Sequence, residues 1–153
     1  MIFMSIATIV AILIVWIMPK RLTKQEIYCT WIVMALLTRT FDQLLDQVFH
    51  LYDQLEQYNV DGCTNWQVIV LQTIFPGAIG VIILNFMPNH RLTFFVYIVG
   101  CTLFSVVFEW ITTRVNYLTY NNWSLLYSAG VYFLGIIFLR YHLSFLRRSK
   151  HKV

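Results

Sequence analysis

The residues best suited to chemistry lie in one stretch, Thr38 to Gln57, and at one later acid, Glu109. Within the stretch are Arg39, Asp42, Asp46, His50 and Asp53. At about 100° of rotation per residue, Gln43, Asp46, His50, Asp53 and Gln57 all fall within roughly 40° of Arg39 on a helix. The pattern predicts a polar stripe along one helix face. Arg39, Asp42, Asp46 and Glu109 form the candidate polar cluster. An ionisable group in a bilayer costs about 3 kcal/mol on insertion scales and calls for a partner. One reading is an ion pair of Arg39 with Glu109 or Asp42 that locks two helices together. The other is an outward-facing pocket for a cation or small polar solute, lined by Gln72 and Tyr127. Asp46 and His50, one turn apart, have a spacing that suits a metal or a proton relay, but a carboxylate and an imidazole alone do not complete a metal site.

Catalytic constellations are not expected. The sequence has no nucleophile beside a base, no HExxH and no phosphate loop. Cys29 and Cys101 fall in apolar runs, Cys63 falls in a loop, and no CxxC or Cys/His cluster accompanies them. The expectation is therefore no metal, no cofactor and no enzyme activity.

The elements that must position these residues are strongly apolar. Of 153 residues, 59% are hydrophobic and only 12% charged, too few charges for the surface of a soluble domain. The runs predict an all-α polytopic membrane protein, one domain of five transmembrane helices at about 2–18, 26–57, 66–86, 92–112 and 123–145. The first run lacks basic residues before it and is followed by Lys20, Arg21 and Lys24. That polarity is the reverse of a secretory signal and predicts a retained helix. The second begins at Thr23 and Glu26, which have capping-box spacing. It carries Arg39 about 22 Å along the axis from Lys24, into the outer half of a bilayer. Asp61-Gly62 marks a turn before the third helix, whose centre holds Pro76 and Gly77, with Gly80 following. This pair is read as a packing kink or, alternatively, as a hinge. The fourth helix presents Thr102, Ser105, Glu109 and Thr113 on one side. In the fifth, Ser128, Tyr132 and Gly135 share a face, and Arg140 is near enough to the inner end to snorkel.

Basic residues set the orientation. With the N-terminus outside and the C-terminus inside, Lys20, Arg21, Lys24, Arg91, Arg147, Arg148, Lys150 and Lys152 are all inside, and Arg114 is outside. Trp16, Trp66, Trp110 and Trp123 fit the interfacial belts. The net charge of +4 follows from this arrangement and predicts no nucleic-acid binding. The expected location is the cytoplasmic membrane, with the lipid bilayer as the first partner.

Glu109-Trp110, Tyr120, Trp123, Tyr127-Ser128-Ala129 and Tyr132 together resemble the C-terminal half of an uncharacterised family of small integral membrane proteins of spore-forming Firmicutes. The segment FPGAIGVIILNFMP, with Asn85, Phe86 and Pro88, resembles that family's proline-containing third helix, and Asp42 fits the acidic end of its second. The chain departs at Phe133, where the family pattern has proline, and at Arg114-Val115. The resemblance implies a five-helix membrane fold and carries no established activity. The leading functional expectation is a non-enzymatic accessory or interaction subunit of a membrane complex, with a membrane-protein partner or homo-oligomer. The alternative is a small transporter, channel or ion-binding module that uses the polar cluster.

Overall fold

The computed structural model describes residues 2–53, 66–115 and 118–150, with no side-chain description for 46–47, 52–53, 66–69, 71 and 149–150. Five α-helices account for most of it: α1 (Ile2–Ile17), α2 (Lys24–Gln43), α3 (Trp66–Asn85), α4 (Arg91–Arg114) and α5 (Leu125–Lys150). Two of them, α4 and the Leu125–Arg148 part of α5, are long and apolar enough to cross a membrane. Each such segment has 24 residues, about 36 Å at 1.5 Å per residue, against a hydrocarbon core of about 30 Å. The other apolar helices, Ile2–Ile17 and Gln72–Asn85, are shorter.

The helices pack in a chain of neighbours. α3 is central, with α2 against one part of it and α1 against another, and α4 packs on α5, which also touches α2 and α3. The α2–α3 contact is close because α3 has no side chain where α2 is bulkiest. Gly77 lies under the Trp31 indole and Gly80 under Met34, so both pairs repeat at the same three-residue step. α3 runs through Pro76 as one helix. The apolar core sits at the end where α1 and α3 finish and α2 begins, and comprises Met18, Leu22, Val81, Leu84, Leu139 and Leu143. At the opposite end, Phe108 of α4 stacks on Phe75 of α3 and tilts against Phe3 of α1.

The core end is fastened by polar contacts. Thr23 and Glu26 form the expected capping box, and Glu26 also accepts from Arg147 Nε at 3.0 Å, tying the start of α2 to the end of α5. Asn85 is fully buried at the end of α3. Its Oδ1 accepts from the Arg21 N–H at 2.8 Å and its Nδ2 donates to the Pro19 carbonyl at 2.9 Å, so one side chain holds the α1–α2 connection. Tyr97 donates to the Ile83 carbonyl at 2.8 Å, near the carbonyls left open at the end of α3. At this end too, the Arg140 guanidinium lies over the Phe94 ring of the first turn of α4, 3.7 Å from its centre.

The expected helix over 26–57 is shorter than its polar stripe. α2 ends at Gln43 and widens into a π-helical turn, Leu44–Val48. His50 then takes a left-handed backbone (φ 49°), and the Leu51 N–H returns to the Leu45 carbonyl at 2.9 Å. That geometry closes the helix as a left-handed cap does. The chain next enters β1 (Tyr52–Asp53), antiparallel to β2 (Thr119–Tyr120), with Tyr52 opposite Tyr120. Gln57, Asp61 and Cys63 lie outside the described residues.

Candidate functional site

The site is assembled around Glu109 at the far end of α4 from the core. Glu109 lies on the buried face of α4 with Thr102 and Thr112, at 9% exposure. The ten-residue connection from α4 to α5 turns back because the Asn121 and Asn122 N–H groups both reach the Leu51 carbonyl at 3.0 Å, extending the ribbon. This return brings Tyr120 over Glu109. The Tyr120 hydroxyl donates to Glu109 Oε1 at 2.6 Å, and the Ser128 hydroxyl of α5 donates to the same oxygen at 2.7 Å. Trp123 Nε1 in turn donates to Ser128 Oγ at 2.7 Å. Burial, reinforced by the carboxylate it bonds, pushes the Tyr120 phenol well above its ordinary value and keeps it a donor.

The second carboxylate oxygen is placed differently. Glu109 Oε2 is buried and has no hydrogen-bond partner. Tyr132, one turn beyond Ser128, lies on the same face of α5. An ionised carboxylate with one oxygen unmatched inside a protein costs at least about 1–3 kcal/mol, more for a full charge. Such a group seeks a proton or a cation.

Arg39 does not supply that charge. Its Nη1 donates to the side-chain oxygen of buried Gln72 on α3, and among the described residues no ion pair joins it to Glu109. The expected Arg39–Glu109 lock is not formed. α2 faces α3, whereas α4 packs on α5. Gln72 thus belongs with Arg39. Tyr127 is exposed, with its ring against Trp123, and takes no described part in the site. His50 is exposed on the cap beyond α2, so the helical Asp46/His50 spacing does not persist; the Asp46 side chain lies outside the description. No group of three or more His, Cys, Asp and Glu residues able to hold a metal occurs among the described residues. Pro76 is inside α3, and Gly77 lines the α2–α3 contact. Tyr120 and Ser128, the two donors to Glu109, were not among the sequence candidates. The i, i+4 pair Ser128/Tyr132 on α5 was the available hint.

Comparison with protein-family models, curated proteins and solved structures found no match.

Proposed function

We propose that the chain is a five-span membrane protein, N-terminus outside, that binds a small cation at an outer-side site centred on Glu109. The observation that carries this reading is the asymmetry of one carboxylate. Oε1 receives two hydroxyl donors while the buried Oε2 receives none. The placement in a membrane draws on an inverted surface. Leu92, Val96, Leu103 and Phe104 on α4 and Leu126, Leu134 and Phe145 on α5 face outward, while Gln72, Asn85, Thr102, Glu109 and Ser128 are buried. Water would penalise that arrangement and lipid favours it. The segregation of basic residues supports the orientation.

Trp123 provides the test, because its indole is linked through Ser128 to Glu109. The purified full chain in detergent should change its tryptophan emission saturably when sodium, potassium or ammonium chloride replaces choline chloride. Glu109→Gln and Trp123→Phe should each abolish the change. A response that persists in Glu109→Gln rejects the site.

A second reading, an accessory subunit, draws on Gly100 of α4 and Gly130 of α5, both exposed with no neighbour within 4 Å. Small residues on a lipid-facing surface admit a second helix. Crosslinking in native membranes that captures no partner would reject it.

A further inference from the structure

We infer that Glu109 Oε2 takes a proton or the cation, one at a time, so that the chain loads its cation by releasing a proton. The inference rests on the reading of Glu109 as a cation site and adds what occupies that site when the cation leaves.

Three observations carry it. First, the hydrogens on Oε1 are fixed by groups outside the carboxylate. The Trp123 indole N–H can only donate, and it donates to Ser128 Oγ at 2.7 Å. The one Ser128 hydrogen is therefore left for Glu109 Oε1, 2.7 Å from the hydroxyl oxygen. The Tyr120 phenol, pushed well above its ordinary value by burial, keeps its proton and donates to the same Oε1 at 2.6 Å. Two donors fill the two lone pairs of that oxygen. Second, Oε2 is buried on a side chain 9% exposed and has no hydrogen-bond partner among the described residues. Its lone pairs are the ones the carboxylate has left, so a proton and a cation must use the same atom. Third, the described partners of the carboxylate are neutral: two hydroxyls, one of them backed by an indole. A bare charge is disfavoured in such surroundings. The protonated acid and the cation-loaded carboxylate are both neutral overall, and exchange between them never exposes the bare charge for long.

The exchange balances. The O–H bond at Oε2 breaks, its electron pair stays on the oxygen, the proton passes to water, and the cation takes the proton's place. Oε1 keeps both hydroxyl donors in either state, so β2 and α5 hold the carboxylate without rearranging. Other ionisable groups reach this end of the bundle from each neighbouring element. Tyr120 comes from β2 and Tyr132 from α5. The end of α2 brings Arg39, bonded to Gln72, and Asp42, with exposed His50 beyond them. The end of α4 brings exposed Arg114, which lies over the Trp110 ring. The test must therefore assign the proton to Glu109 among these.

The purified full chain in detergent is titrated with sodium or potassium chloride against choline chloride at equal ionic strength. Tryptophan emission is read at a series of pH values, and proton release is read with an indicator dye in weak buffer. The half-saturating concentration should rise as pH falls, by up to about tenfold per pH unit. Addition of the cation should release up to about one proton per chain, because a ligand atom must be deprotonated to bind. Glu109→Gln should abolish the release, and Glu26→Gln, at the other end of the bundle, should retain it. If Glu109→Gln does not fold, the native chain decides: by linkage the protons released must equal the pH slope in number, and disagreement overturns the inference. A saturable emission change with no proton release and no pH dependence overturns the exchange and leaves the cation site standing. Proton release that survives in Glu109→Gln but is lost in Asp42→Asn assigns the proton to Asp42 and overturns the inference. No saturable response to either cation at any pH overturns both the inference and the site.

Discussion

Replacing Gly77 by alanine places a methyl group against the Trp31 indole. A Cβ at that position would lie 2.6 Å from Nε1, 2.7 Å from Cδ1 and 2.8 Å from Cε2. Carbon atoms in good contact are about 3.5–4.0 Å apart, so the ring must retreat by roughly 1 Å. Because three atoms of a rigid ring are involved, a rotamer adjustment of one flexible end does not relieve the overlap. Overpacking of this kind costs about 1–3 kcal/mol. The substitution also gains about 1 kcal/mol of helix propensity, since Gly77 is inside α3. The net expectation is a destabilisation of about 0–2 kcal/mol. The more informative result is the sign change: in a Trp31→Leu background the overlap disappears and Gly77→Ala should stabilise by up to about 1 kcal/mol. Equilibrium unfolding in mixed micelles measures both arms of the cycle. A stabilising Gly77→Ala in the native background, or equal effects in the two backgrounds, would refute the argument that this glycine exists for helix approach.

The remaining expectations address other parts of the molecule. Gly80→Ala should be milder than Gly77→Ala, since the side chain it meets is the adaptable Met34, and Gly100→Ala, which meets nothing within 4 Å, should be neutral or stabilising in the same assay. Asn85→Ala should cost about 2–4 kcal/mol, because it strands the Arg21 N–H and the Pro19 carbonyl together; a loss below about 0.5 kcal/mol would remove the clamp from the account. Burial alone would raise the Glu26 carboxyl, but the Thr23 N–H and Arg147 outweigh it and hold it below its ordinary 4.5. Its contribution is therefore complete above pH 4.5 and is lost as pH falls through the lowered folded value. Melts taken downward from about pH 6 should show a slope that Glu26→Gln removes. In intact cells expressing single-cysteine variants, an impermeant thiol reagent should label Asn122→Cys and spare Asn89→Cys; the reverse pattern would invert the orientation.

The helices were legible because each is a run of apolar residues with a local start or stop. The Thr23/Glu26 capping box is the clearest case, needing only residues three apart. The end of α2 was not legible, for a physical reason. Asp46, His50 and Asp53 keep a helical period in the sequence beyond the point where the chain leaves the helix, and periodicity cannot register a left-handed residue such as His50. What holds the departing chain is pairing with Thr119 and Tyr120, and no local signal encodes a partner so distant. The same limit applies to Asn85, whose partners are 64 and 66 residues away. Rise per residue gives Arg39 a depth. Depth leaves the azimuth free, and the azimuth sends Arg39 to Gln72 and turns Glu109 to Tyr120 and Ser128. The candidate site was thus half readable: the acid could be named from its isolation in an apolar helix, but its donors could not.

The central claim is that the Glu109 carboxylate itself takes up a cation. Infrared difference spectroscopy of the reconstituted chain, exchanged between choline chloride and sodium or potassium chloride, measures this at the carboxylate. The account expects a shift in the carboxylate stretching bands that is missing in Glu109→Gln. A carboxylate spectrum that is unchanged by these cations, or a band shift that survives in Glu109→Gln, would contradict it.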